Sequence, residues 1–180
     1  RIMAENAAGK YGLKNGGYGV VTLHRPSNVD NPETLGKLCG ALKRIAAELE
    51  LVFPVHPRTK KNLEAFGLYA DLAAAPGIHL DGPASYIQFM NLVFNCRLAL
   101  TDSGGIQEET TYLGIPCLTL RPNTERPITV THGTNRFCTP ENIENLAASA
   151  MAKKAEPDPP LLWEGKTAER AVESARRFVV

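Results

Sequence analysis

No apolar run in this 180-residue chain approaches the roughly 20 residues needed to cross a bilayer, so no membrane partner is expected. An excess of one charge is also missing. Twenty Lys and Arg stand against nineteen Asp and Glu, for a formal net charge of +1, which argues against a nucleic-acid partner. Cysteine is sparse: Cys39, Cys96, Cys117 and Cys138 lie far apart, mostly inside apolar runs. They have no CxxC spacing for a metal and no dense framework for secretion, so buried thiols in a reducing cytosol are expected. The first residues, RIMAENAAGKYG, lack the apolar centre of a signal peptide, and a cytoplasmic location is expected. The chain opens on Arg rather than Met, which points to a fragment or a processed product. Repeats and low-complexity tracts are absent.

What is present is an ordinary globular composition, 43% hydrophobic and 22% charged, enough for one sizeable core. Apolar strands and amphipathic helices alternate along it. YGVVTLHR (18–25), LVFPVH (51–56), GIHLDG (77–82), RLALTD (97–102), PCLTLR (116–121) and NRFCT (135–139) read as strands. Between them, helices are expected over 31–49, with Leu35, Leu38, Leu42, Ile45 and Leu49 on one face, and over 57–68, 84–96, 104–114 and 140–155. Asn31 can cap the first of these, with Pro32 in its first turn. This rhythm, with strands apolar throughout rather than alternating, predicts an α/β fold: a Rossmann-like, doubly wound parallel sheet covered on both faces. The expected divisions are a leading helical segment (1–16), the Rossmann-like domain (17–155), and a linker at EPDPP with a C-terminal helix (156–180).

Ligands of open α/β sheets bind at the carboxyl ends of the strands. This chain places His24, Arg25, Ser27 and Asn28 after strand one, and His56 and Arg58 after strand two. Asp81 follows strand three, Asp102, Ser103, Gly104 and Gly105 follow strand four, and Arg121 through Arg126 follow strand five. Ser103 can cap the helix that begins at Gly104 or Gly105. The glycines there allow close backbone approach, and the helix dipole with nearby Arg25 and Arg126 favours an anion such as a diphosphate. Glu108 and Glu109 lie about 100° apart around their helix, so they are not a catalytic pair; one turned to the cleft suits ribose hydroxyls. Plainer readings stand beside these. SGG also makes a tight turn, His24 and His56 also serve as strand-end histidines bonded to backbone, Asp102 also holds a turn, and Phe89 and Tyr86 also fill cores.

The block TDSGGIQEETTYLGIPCLTLRPNTERPITVTHGTNR resembles the non-hydrolysing UDP-N-acetylglucosamine 2-epimerases, whose hallmark is DSGGIQEE, then LGxP, a strand, TERPE and GTN. HR after the first strand, PVHP after the second and WEGKTAER near the end, similar to DGKAAER, support it, so the matches run from about 19 to 170. The family has two Rossmann-like domains in the GT-B arrangement and about twice this length. The resemblance therefore implies the C-terminal, nucleotide-binding half, with an N-terminal domain as its partner, an inactive state for this half alone, and a homodimer for the whole enzyme. It implies interconversion of UDP-N-acetylglucosamine and UDP-N-acetylmannosamine by elimination and re-addition of UDP, without nicotinamide or any other cofactor, in the supply of polysaccharide precursors. The carboxylates that move the C2 proton belong to the other domain.

By the same resemblance, His24 matches a histidine against the diphosphate that is implicated in catalysis. Ser103, Gly104 and Gly105 match the diphosphate loop, Glu109 the ribose-binding glutamate, Arg126 a substrate-contacting arginine and Phe89 a residue beside uracil. Arg25 also belongs to the UDP-sugar site, and Arg25 and His56 match positions that bind a second UDP-N-acetylglucosamine as activator in some members. HRPSNVD stands in place of HRREN, and Ile128 in place of the second glutamate of ERPEA. These departures leave open a related UDP-2-acetamido sugar, and the donor half of a GT-B glycosyltransferase is the further alternative.

Overall fold

A computed structural model describes residues 2–152 and 160–178. Two 3₁₀ turns, Ile2–Ala4 and Ala7–Tyr11, open the chain. They are followed by β1 (Tyr18–Thr22), α1 (Pro26–Val29), α2 (Pro32–Ala46), β2 (Glu50–Pro54), α3 (Pro57–Ala65), α4 (Tyr69–Ala73) and β3 (Ile78–Asp81). The second part comprises α5 (Tyr86–Asn95), β4 (Leu98–Thr101), α6 (Gly104–Leu113), β5 (Cys117–Thr119), α7 (Ile128–Thr131), β6 (Asn135–Phe137), α8 (Ile143–Ala152) and α9 (Thr167–Arg176).

Among the described residues the strands form a six-stranded sheet in the order β3-β2-β1-β4-β5-β6, every pairing parallel. The order reverses between β1 and β4, which makes their carboxyl ends the topological switch point where doubly wound sheets open a crevice. Side chains alternate across the sheet. Val21, Leu51, Phe53, Leu98, Leu100 and Leu118 face one way, into a core completed by Leu35, Leu38, Leu42 and Ile45 of α2, Leu63 of α3 and Ile143 of α8. Tyr18, Val20 and Val52 face the other way, onto Leu92 and Val93 of α5, while Ala99 and Cys117 meet Ile106 of α6. Both faces are thus covered, as the unbroken apolar strands require.

The local signals behave as their chemistry dictates. The Asn31 side chain accepts the Thr34 amide at 3.0 Å, capping α2 with Pro32 behind it. Helix α5 starts in a capping box between Ser85 and Gln88. Gly114 ends α6 at φ +70°, the left-handed conformation that stops a helix sharply and that glycine adopts without strain. At Gly77 (φ +75°) a Cβ would stand 2.5 Å from the Ala46 carbonyl, so the entry to β3 is closed to other residues. All four cysteines are free and buried, and burial pushes the thiols up, to about 11 for Cys39 and Cys117 and about 12 for Cys96 and Cys138.

Three expectations need correction. The leading segment is two 3₁₀ turns rather than one helix, because Asn91 of α5 takes over its backbone. Its Oδ1 accepts the Ala7 amide at 3.0 Å and its Nδ2 donates to the carbonyls of Ile2 and Glu5. Except for β3, which keeps Asp81, each strand ends before the polar residues assigned to it, since those residues turn away from the ladder. And α1, α4 and α7, single turns of four or five residues, are too short to show a hydrophobic period. The expected linker is EPDPP (156–160), of which residues 156–159 lie outside the described residues. Among the described residues no helix is long and apolar enough to cross a membrane, and no cluster of His, Cys, Asp and Glu fit for a metal is present.

Candidate functional site

The crevice is organised around Asp102, fully buried at the end of β4. Its carboxylate accepts the backbone amides of His24 (3.0 Å) and Arg25 (2.9 Å) and the Nδ2 of Asn28 (3.1 Å). Asn28 reaches on to the Leu120 carbonyl at 3.0 Å, so one side chain ties the loops after β1, β4 and β5 together. His24 Nδ1 lies 2.8 Å from Asp102 Oδ1. The contact lacks hydrogen-bond geometry and is electrostatic, and Nε2 is the ring nitrogen left free of the carboxylate. Asp102 therefore does more than hold a turn: it positions the imidazole. Thr22 and Thr101, adjacent on β1 and β4, share a 2.6 Å hydroxyl contact beneath it.

Ser103 takes the N-cap position of α6 but makes no side-chain capping bond; its own amide donates to Thr101 Oγ1 at 3.0 Å. The expected serine cap is not made, because the backbone turn is closed by Thr101 instead. The first amides of α6 lack helical acceptors, and the positive end of its dipole faces the crevice. Two guanidinium groups gather at this mouth. A Cβ on Gly104 would lie 3.1 Å from Arg126 Nη1 and 3.6 Å from Arg121 Nη1, while at Gly105 it would meet nothing within 4 Å. Arg126 Nε approaches Glu108 Oε2 to 2.6 Å, at an angle too poor for a hydrogen bond, so the contact is an ion pair only. Arg25 donates through Nε to the Asp102 carbonyl at 3.0 Å, fixing its stem over the same turn.

A cavity of about 200 Å³ adjoins this mouth, lined by His24, His56, Pro83, Ala84, Phe89, Ser103 and Ile106 among others. The His24 and His56 rings stand 5.6 Å apart. His56 also caps α3, its Nδ1 accepting the Arg58 amide at 3.2 Å, so the plainer reading of that histidine holds alongside its place in the cavity. Phe89 sits between cavity and core, packed against Ala99, Ile106 and Cys117. Glu109 is partly buried on the face of α6 turned to α5. Burial first, and the neighbouring Glu108 charge second, raise its carboxyl above the ordinary range, with a hydrogen bond from Tyr86 opposing them. The structure thus brings His24, Arg25, Phe89, Ser103, Gly104 and Arg126 around one crevice, with His56 on its rim and Glu109 one helical turn further along α6.

Residue-level reading missed what holds the mouth in shape. Asn135 of β6 donates to the Gln107 carbonyl (2.9 Å) and to Thr111 Oγ1 (3.0 Å), and accepts from Thr119 Oγ1 (3.0 Å). Gln107 Oε1 accepts from Thr124 Oγ1 (2.7 Å), which in turn accepts the Arg126 amide (3.0 Å). This chain of bonds couples α6 to the loop carrying Arg126. Its only signal in the sequence was polar residues, Gln107 and Asn135, set among apolar neighbours.

Comparison with known proteins decides the family. A sequence model described as UDP-N-acetylglucosamine 2-epimerase matches residues 2–176. The chain belongs to the UDP-N-acetylglucosamine 2-epimerase family. Relatives within it include the UDP-N-acetylglucosamine 2-epimerases of Methanococcus maripaludis, 45% identical over 142 residues (77% of this chain, 39% of the relative), and Methanocaldococcus jannaschii, 41% identical over 159 residues (86% and 43%). The solved structure of the M. jannaschii epimerase superposes with a TM-score of 0.83 at 36% identity, over 96% of this chain and 50% of that one. A second structure of that enzyme, in complex with UDP-GlcNAc and UDP, gives a TM-score of 0.79. The chain spans about half the length of the epimerases it matches, or less, in keeping with one half of a GT-B pair. An Escherichia coli heptosyltransferase, at 14% identity and a TM-score of 0.51, shares the fold alone.

Proposed function

We propose that this chain is the UDP-binding half of an enzyme that interconverts UDP-N-acetylglucosamine and UDP-N-acetylmannosamine. The observation that carries the reading is the meeting, at the switch point, of an imidazole oriented by a buried carboxylate with a helix mouth flanked by guanidinium groups. In the elimination step the C1–O bond to the diphosphate breaks as the C2 proton leaves, yielding UDP and 2-acetamidoglucal. Re-addition of UDP with protonation on the opposite face of C2 gives the epimer. The negative charge on the departing diphosphate is greater in the transition state than in the bound substrate. Donors fixed beforehand, the α6 amides, Ser103 and Arg126, with His24 beside them, therefore lower the barrier more than they strengthen ground-state binding. Arg25 supports this anion site, Phe89 and the adjoining cavity receive uracil, and Glu109 accepts from the ribose hydroxyls. His56 and Arg25 are the groups available to a second nucleotide sugar.

The family resemblance assigns the carboxylates that move the C2 proton to a partner domain. The proposed division is a leading segment (1–16), a UDP-binding domain (17–155) and a connecting C-terminal part (156–180), in a cytoplasmic homodimer serving polysaccharide synthesis. Full-length protein given UDP-N-acetylglucosamine should produce UDP-N-acetylmannosamine, followed by proton NMR of the anomeric signals. A second reading has its own support. The UDP-2,3-diacetamido-2,3-dideoxy-D-glucuronate 2-epimerase of Pseudomonas aeruginosa is 32% identical over 176 residues (96% of this chain, 48% of the relative). Turnover of that uronate with none of UDP-N-acetylglucosamine would favour it.

A further inference from the structure

Arg121 follows β5 and is almost wholly buried, its side chain 4% exposed. A buried guanidinium ordinarily has every N–H matched, because an unmatched charged donor is costly to desolvate. Arg121 departs from this rule. Its Nη2 donates to Glu125 Oε1 at 3.0 Å, while its Nη1, with no solvent-exposed surface, has no acceptor at all. That nitrogen points at the first residue of α6, 3.6 Å from where a Gly104 Cβ would stand. Glu125 does not belong to Arg121 alone: its other oxygen lies 3.6 Å from Arg126 Nη1. The Glu125 side chain is 68% exposed, and its carboxyl is held below the ordinary range chiefly by Arg121, with Arg25 and Arg126 contributing. A single exposed carboxylate therefore bridges two guanidinium groups at the mouth where an anion is expected.

We propose that Arg121 is a further diphosphate ligand, and that Glu125 is an internal counter-ion which occupies the anion's place and is displaced when the diphosphate arrives. The proposal rests on the diphosphate reading of this mouth. Its logic is substitution. A phosphate oxygen entering beside Gly104 supplies the acceptor that Nη1 lacks, and the exposed Glu125 side chain swings into water at little cost. Arg126 and Arg121 then grip one anion from two sides, a geometry to which planar guanidinium groups are suited. The bridge also keeps like charges apart in the empty site, where two unscreened guanidinium groups would repel each other.

The partners of an ordinary structural ion pair fail together; here they should act in opposite directions. In the full-length protein, calorimetric titration with UDP and with uridine separates diphosphate recognition from nucleoside recognition. Arg121→Lys should lower UDP affinity about tenfold or more and leave uridine affinity unchanged. Glu125→Gln, at an exposed position that does not threaten folding, should raise UDP affinity about threefold or more, again with uridine unchanged. The proposal is overturned if Arg121→Lys weakens UDP and uridine alike or neither, or if Glu125→Gln fails to raise UDP affinity. Should Arg121→Lys not fold, the sign of the Glu125→Gln effect still decides. Wild-type protein that binds UDP no better than uridine would instead remove the diphosphate reading itself, and this proposal with it.

Discussion

His24 Nδ1 and Asp102 Oδ1 lie 2.8 Å apart although the two residues are 78 positions apart in the chain. The same carboxylate binds the His24 amide, so ring and backbone are held by one group. Asp102→Asn keeps the shape but turns an acceptor-only group into one that also donates, facing donors. We expect kcat to fall about 10²–10⁴-fold through loss of the oriented imidazole. Stability should drop by about 2–3 kcal/mol as buried amides lose their acceptor. Steady-state kinetics and urea unfolding read the two effects; an unchanged kcat would remove His24 from the proposed chemistry.

Gly104 should separate binding from folding. Its backbone is ordinary helix, and the nearest obstacle to an added methyl is the flexible tip of Arg126 at 3.1 Å. Gly104→Ala should hold stability or raise it by up to about 1 kcal/mol, because alanine is the better helix former. The methyl would still stand where phosphate must approach the amides, so UDP affinity should fall about tenfold or more. Thermal unfolding and calorimetry on one sample give the comparison, and retained affinity would place the anion elsewhere.

Glu109 accepts most strongly from ribose hydroxyls when ionised, yet burial and the Glu108 charge raise its carboxyl above 4.5. Protonation competes with binding, so UDP affinity should decline with falling pH before an ordinary glutamate would titrate. Glu109→Gln should bind UDP roughly tenfold more weakly and lack this component of the pH profile, the phosphate's own titration remaining in both proteins. A Gln variant with the wild-type profile would reassign the ribose contact.

The thiols supply an alkaline prediction. Their folded values lie above the ordinary 9.0, at about 11 for Cys39 and Cys117 and about 12 for Cys96 and Cys138. The folded protein keeps protons that the unfolded chain releases, so this contribution is complete below pH 9 and is lost as pH climbs through 11 to 12. Urea midpoints should fall across that window, and Cys96→Ala should flatten the fall. At pH 8 a thiol reagent should leave the native cysteines unmodified and label all four after denaturation; rapid native labelling would contradict their burial.

Much of the fold was legible because its signals are local. The α2 register of Leu35, Leu38, Leu42 and Ile45, the Asn31 cap and the glycine that ends α6 each depend on neighbours within a turn or two. Unbroken apolar strands announced a sheet covered on both sides. The single-turn helices escaped because four residues carry no period. The leading segment escaped because a distant side chain, Asn91, replaces its helical bonds. In the site, the serine cap was misjudged because Thr101, on the preceding strand, competes for the same turn. Gln107 and Asn135 gave no hint of their partners, which lie on other elements.

The sequence by itself determined the alternating elements, the covered parallel sheet, the family through its DSGGIQEE-to-GTNR block, and the set of polar residues at the strand ends. Hydrophobic period, capping and glycine conformation act over a few residues, and such forces are written in order along the chain. Only the tertiary structure decided that β1 lies beside β4, so that Asp102 grips His24, and that Arg121 and Arg126 converge on Gly104. Those meetings follow from strand order and from burial of both sheet faces at once, a cooperative balance over the whole core that no local stretch contains.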